Sequence, residues 1–194
     1  GHNVVSLNQR TSLVTYVQQY SSGGSTTAAK TINNKFSGCS GLKQLNFYAS
    51  AVTGDIESAF DSLPSLTYLE LRWTSLTGRL DDNSFANTNS LQHLLLAGSS
   101  FNTADFFGTQ DSIDNNSGSG EVFKNTLDLR WMYLYNNSNV RGNLPDFSSN
   151  INLTGLYFHS TGINGPLQTF ASNINLYYLR MSNCQISGSV PAFT

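Results

Sequence analysis

Few side chains in this 194-residue sequence are of the kinds that make or break bonds. His93 and His159 are the internal histidines; His2 sits in a leading Gly-His pair that reads as a cloning remnant. Acid–base work by two histidines needs them in one site. Here they fall two or more repeats apart, roughly 10 Å or more at ~4.8 Å per strand. No Ser-His-Asp set can be assembled around either one. Cys39 and Cys184 stand at opposite ends of the chain, where an extended array cannot bring them into one disulfide. Asp111, Asp114, Asn115 and Asn116 cluster in a Gly/Ser/Asn-rich stretch. They lack the Asp-x-Asp-x-Asp-Gly spacing and closing Glu of a calcium loop, so a solvated loop is expected and no metal. Glu70 and Arg72, two apart, are placed to pair with each other. The chemistry on offer is therefore recognition, without a cofactor and without catalysis.

Bulk composition narrows the kind of recognition. Only 11% of residues are charged, net charge is −2, and there are four lysines, which gives no basic footprint for nucleic acid. Ser, Thr and Asn take the place of charges, a composition common outside cells and on virus particles. No apolar run approaches the length of a membrane span. Asn115, Asn136 and Asn152 head N-x-S/T triplets, close to chance in a chain so rich in these residues.

The elements that position side chains come from a repeat of about two dozen residues. Leu153, Leu156, Phe158, Ile163, Leu167 and Phe170 are followed by Leu176, Leu179, Met181, Ile186, Val190 and Phe193 in the same spacing. Self-similarity at this period predicts a solenoid. Six repeats open at Leu42, Leu66, Leu91, Leu129, Leu153 and Leu176. An independent check is that Phe36, Phe60, Phe85, Phe123, Phe147 and Phe170 each lie six residues before the next opening Leu. Stacked, they form a phenylalanine spine. Residues 42–194 hold the repeats, with an inserted loop at about 106–120 in the third. That loop is expected to be dispensable for folding. Residues 1–41 read as an N-terminal cap: a short helix capped by Thr11 or Ser12, with Leu13, Tyr16, Val17 and Tyr20, then a degenerate first repeat holding Ile32 and Phe36.

Leu-x-x-Leu-x-Leu followed by Val52-Thr-Gly-Asp-Ile56, Leu76-Thr-Gly-Arg-Leu80, Ile163-Asn-Gly-Pro-Leu167 or Ile186-Ser-Gly-Ser-Val-Pro191 resembles the plant-type leucine-rich repeat. The resemblance covers about residues 29–194. It implies an α/β repeat fold: a curved solenoid with a parallel β-sheet on its concave side and short helical or irregular convex segments. It also implies a polar ladder inside the turn, held by Ser50, Thr74, Ser99, Asn137 or Ser138, Thr161 and Cys184. Plant ectodomains of this type carry paired cysteine caps, which this chain lacks; the departure points to a bacterial surface protein or a phage tail component.

With the leucines inward, alternation puts the intervening residues on the concave face. These include Gln44, Asn46 and Tyr48; Tyr68, Glu70, Arg72 and Trp73; His93, Leu95 and Ala97; Trp131, Tyr133, Tyr135 and Asn136; Tyr157 and His159; Tyr178, Arg180 and Ser182. The core, filled by Leu and Phe, does not need the aromatic ones. The ligand-binding set is thus Tyr48, Tyr68, Arg72, Trp73, His93, Trp131, Tyr133, Tyr135, Tyr157, His159, Tyr178 and Arg180, centred on the fourth and fifth repeats. Exposed Trp, Tyr and Arg on one sheet suit a protein or glycan ligand, outside a cell, at a cell surface or on a virion. A structural element of a larger fibre or virion is the rival reading. Ice binding is a third, which the mixed concave face disfavours. The flank of the sixth repeat (Leu176, Leu179, Ile186, Val190, Phe193) is expected to be covered by a second copy of the chain or by a neighbouring chain.

Overall fold

The computed structural model describes residues 15–17, 30–32, 36–57, 59–101, 106–107 and 121–191. Each Leu-x-x-Leu-x-Leu segment forms one three-residue strand. β1 (Thr15–Val17), β3 (Gln44–Asn46), β5 (Tyr68–Glu70), β7 (His93–Leu95), β8 (Trp131–Tyr133), β10 (Gly155–Tyr157) and β12 (Tyr178–Arg180) make a seven-stranded sheet in that order, parallel throughout. The register is the sequence period itself: Leu45, Leu69, Leu94, Met132, Leu156 and Leu179 stand on one rung. All but Leu179 are buried. A one-residue slip would turn this row out to solvent, so the apolar repeat fixes the register.

The Thr-Gly segments form strands too, which the repeat pattern does not announce. β2 (Lys30–Thr31), β4 (Val52–Asp55) and β6 (Ser75–Thr77) make one small parallel sheet; β9 (Asn137–Gly142), β11 (Thr161–Pro166) and β13 (Gln185–Ser187) make another. Between them, Leu80 N–H donates to Phe106 C=O at 2.8 Å and Phe106 N–H to Arg141 C=O at 3.1 Å, so one residue of the third repeat joins the two sheets. The connecting segments are turns and extended chain; no helix occurs among the described residues.

The spine forms as its spacing requires. Phe36, Phe60, Phe85, Phe123, Phe147 and Phe170 are all buried. Phe36 and Phe60 stack at 6.4 Å, Phe85 and Phe123 at 5.9 Å, Phe123 and Phe147 at 5.4 Å. Phe193 lies outside the described residues.

Two expectations need correction. Thr15–Val17, inside the expected cap helix, is strand β1, paired in parallel with β3. A β-branched and aromatic triplet suits a strand, and the open edge of β3 offers it a partner. Residues 11–14 and 18–20 lie outside the described residues. The insert does not begin at Phe106: Phe106 and Phe107 are buried. Phe106 contacts Phe101 at 5.2 Å, and Phe107 meets Phe123 of the spine at 6.0 Å. Both rings are part of the core of the third repeat. Residues 108–120, with Asp111, Asp114, Asn115 and Asn116, lie outside the described residues.

Polar residues inside the turns close the backbone. Thr74 donates to Leu71 C=O (2.8 Å), Ser99 to Leu71 C=O (2.7 Å), Asn137 to Leu134 and Leu96 C=O (2.6 and 3.1 Å), Thr161 to Phe158 C=O (2.7 Å), and the Cys184 thiol to Phe158 C=O (3.0 Å). Asn137, not Ser138, holds the ladder position. A second ladder, which the leucine pattern hides, runs three residues before every opening Leu except Leu66, where Leu63 stands instead. Thr88 donates to Phe60 C=O at 2.6 Å, Asn150 to Phe123 and Thr126 C=O at 3.1 and 2.8 Å, and Asn173 to Phe147 and Asn150 C=O at 2.9 Å each. In both ladders the side-chain donors reach from the later repeat back to carbonyls of an earlier one, while Asn137 Oδ1 also accepts from the Ser99 backbone N–H at 2.9 Å. Cys39 occupies the second-ladder position and is buried.

Candidate binding surface

Parallel pairing lines up the outward side chains in rungs. One rung runs Gln44, Tyr68, His93, Trp131, Gly155, Tyr178; the next runs Asn46, Glu70, Leu95, Tyr133, Tyr157, Arg180. The twelve residues expected to bind all lie on these rungs or in the short turns after them. Seven lie on the strands themselves: Tyr68, His93, Trp131, Tyr133, Tyr157, Tyr178 and Arg180. They divide into two clusters.

The larger spans β8, β10 and β12. Trp131 stacks against Tyr157 at 6.3 Å and leans on Tyr178 at 5.7 Å, although one strand separates it from Tyr178. Gly155 makes that approach happen. It lies between them on the rung, and a Cβ there would sit 2.3 Å from Trp131 Cε3. The ring therefore lies flat over bare backbone. Tyr133 meets Tyr157 edge-on at 4.8 Å, and Tyr135 stacks on His159 at 4.8 Å with planes 7° apart. The Arg180 guanidinium lies over the Tyr157 ring at 5.9 Å. Burial under its neighbours raises the pKa of Tyr157, and burial together with the Arg180 charge lowers that of His159.

The smaller cluster is ionic and spans β3, β5 and β7. Glu70 is 1% exposed although it points toward the concave side. Arg72 covers it with two parallel hydrogen bonds, Nε to Oε1 at 2.8 Å and Nη2 to Oε2 at 2.6 Å. The Tyr68 hydroxyl donates to Glu70 Oε2 at 3.1 Å, and the Arg72 backbone N–H to Oε1 at 3.1 Å. The carboxylate is thus fully bonded, as a buried charge must be. Burial and the adjacent carboxylate push the Tyr68 phenol up to about 12, and hydrogen bonds to Glu70 hold Arg72 above its ordinary range. Arg72 also lies over Tyr48 at 5.3 Å. His93 packs on Tyr68 at 5.8 Å and is lowered by burial and by the charge of Arg130.

Between the clusters Leu95 and Ala97 are buried rather than open, because the large side chains on either side close over them. Trp73 stands apart. It occupies the left-handed turn position shared by Ala49, Gly98, Asn136, Ser160 and Asn183, with φ between 50° and 65° throughout. A bulky side chain is strained there. Its ring lies on Gly98, where a Cβ would fall 2.3 Å from Trp73 Cε3. It is 46% exposed. Composition alone would not single out Gly155 and Gly98 as parts of the surface; their signal is a glycine standing where every other repeat has a side chain.

A family profile described as Leucine Rich Repeat matches residues 175–194, the last of six turns with one shared register. The fold is that of a leucine-rich-repeat solenoid. Among the described residues, every strand of the main sheet except β7 is followed by a second strand. A search of curated proteins finds no match. Among solved structures it is similar to the plant peptide hormone receptor RGFR1 in complex with RGF2 (22% identity, TM-score 0.69, 84% of this chain and 24% of that one). It is also similar to the Arabidopsis receptor kinase HAESA in complex with the peptide hormone IDA and the co-receptor SERK1 (22%, 0.67, 84% and 25%). A plant ice-binding protein shares the fold at 20% identity and a TM-score of 0.53, over 83% of this chain and 55% of that one. The chain spans about a quarter of the length of the two receptors. Among the described residues, no helix is long and apolar enough to cross a membrane, and no group of three or more His, Cys, Asp and Glu could hold a metal.

Proposed function

We propose that the concave face is a non-catalytic recognition surface for a protein partner, working outside the cell. The observation that carries this reading is the ring surface of Trp131, Tyr133, Tyr135, Tyr157, His159 and Tyr178. These rings contact one another across three strands, on the far side of the sheet from a core already filled by Leu and Phe. Aromatic side chains placed this way offer large rigid contact area at little rotamer cost. Two of the similar solenoids were solved with peptide hormones, which supports a peptide or protein ligand over a glycan. A cell-surface setting accords with the same likeness and with the Ser/Thr/Asn-rich composition.

The test is binding by single-ring variants. Trp131→Ala or Tyr157→Ala should cost roughly 2 kcal/mol or more of binding, the scale of an interface hot spot. A partner is found first by screening displayed peptides and extracellular domains. If both variants bind as the parent does while changes on the Thr-Gly side abolish binding, the concave assignment is wrong.

A further inference from the structure

The chain carries net charge −2, yet its concave side carries no uncompensated acid. On the two described rungs the charged residues are Glu70 and Arg180. Glu70 is buried and doubly bonded by Arg72, so that pair is neutral to a ligand. Arg180 has no carboxylate within ion-pair distance among the described residues; its guanidinium rests on a tyrosine ring. The residues that precede each strand form a rim: Lys43, Thr67, Gln92, Arg130, Thr154 and Tyr177, each bonded through backbone to the next. That rim again holds bases and no acid. Arg130 is exposed, and its field reaches the concave face, where it disfavours a proton on His93.

Arg130 and Arg180 lie on a diagonal across the ring cluster, one before β8 and one at the end of β12. Between them are Trp131, Tyr157 and Tyr178. Three-residue strands make the sheet about 10 Å wide, room for one extended chain with its side chains, and six strands from β3 to β12 give it about 25 Å of length. Positive potential over such a face selects partners of opposite charge and repels others.

From this segregation of charge, and resting on the concave face being the binding surface, we propose that the ligand is an acidic extended peptide segment. Its carboxylates pair with Arg180 and Arg130 while an apolar side chain beside them lies on the Trp131–Tyr157–Tyr178 rings. The Glu70–Arg72 pair, already neutral, takes neutral parts of the same segment by hydrogen bonding.

A random peptide library displayed on phage, selected on the intact 194-residue chain, tests this. Selected peptides should be rich in Asp and Glu next to an aromatic or branched apolar residue. Synthetic copies should bind roughly tenfold more weakly to Arg180→Gln combined with Arg130→Gln, and their affinity should fall as salt rises from ~0.05 to ~0.5 M. Tyr178→Ala, an exposed ring, should weaken them without unfolding the chain. Neutral or basic peptides that depend on Tyr178 but ignore both arginines would overturn the acidic ligand and leave the concave surface standing. Peptides indifferent to Tyr178, Trp131 and both arginines would overturn both. Oligogalacturonate that binds with the same arginine dependence, where no peptide does, would replace the peptide by an anionic glycan and so overturn the proposal.

Discussion

Trp73 holds the one large side chain at a backbone position that Gly98, Asn136 and Asn183 occupy in other repeats. Asparagine tolerates left-handed φ far better than tryptophan. Trp73→Asn should therefore leave stability within about 1 kcal/mol of the parent or raise it, despite the loss of a large ring. Denaturant unfolding checks this; a loss above about 2 kcal/mol would show that the ring on Gly98 clamps the third repeat. Tyr68 gives a pH test. Its folded pKa, about 12, lies above the ordinary phenol value of 10.0. The unfolded chain thus loses this proton first as pH rises. The contribution of Tyr68 is present in full below pH 10 and declines as pH climbs toward 12. Tyr68→Phe should flatten the alkaline fall in stability relative to the parent, and absorbance titration should show one late phenol fewer. Parallel alkaline limbs in the two proteins would contradict the burial of this hydroxyl beside Glu70.

Strand β10 shows how one element sets the geometry of its neighbours. Gly155 needs no unusual φ, so Gly155→Ala is compatible with the backbone; its methyl collides with Trp131 instead. Displacing the ring should cost about 1–3 kcal/mol of stability and shift tryptophan fluorescence, with a larger loss in binding. An unchanged spectrum would mean that the ring does not lie on the strand. In the third repeat, Phe106→Ala should cost about 3–5 kcal/mol, measured by denaturant unfolding, because a fully buried ring is removed from the joint between the small sheets. For the same reason, excising residues 106–120 should lower the melting temperature. How much of this could be read in the sequence follows from what repeats. The inward leucines and the phenylalanine offset are core positions, which every turn must fill alike, so register, spine and concave residues were all legible. The Thr-Gly strands were not, because their outward residues vary and only their backbones pair. The Phe-Phe pair was misjudged because the Gly/Ser/Asn-rich residues after it set the composition of the window. The helix expected across Thr15–Val17 was misread because these three residues take their structure from the edge of β3, not from their own periodicity.

Across the whole molecule, stability is a sum over repeats and their contacts with neighbours. Leu176, Leu179, Met181 and Ile186 of the sixth repeat are only half-buried, whereas their counterparts Leu153, Leu156, Phe158 and Ile163 in the fifth are fully buried. In this 194-residue chain, amide exchange should therefore run fastest in β12 and β13 and slowest around the Phe85–Phe123–Phe147 stack. Uniform exchange along the array would mean that it opens as one unit. A covering chain, whether a second copy or another protein, would slow β12 and β13 selectively. The ladders give the array a direction as well. Asn137 reaches back to Leu96, Asn150 to Phe123, Asn173 to Phe147 and Cys184 to Phe158. A chain synthesised from its N-terminus lays down these carbonyls before the amides and thiol that need them exist. For these side-chain bonds each turn leaving the ribosome finds its acceptors already in place, a geometry suited to assembly in the order of translation.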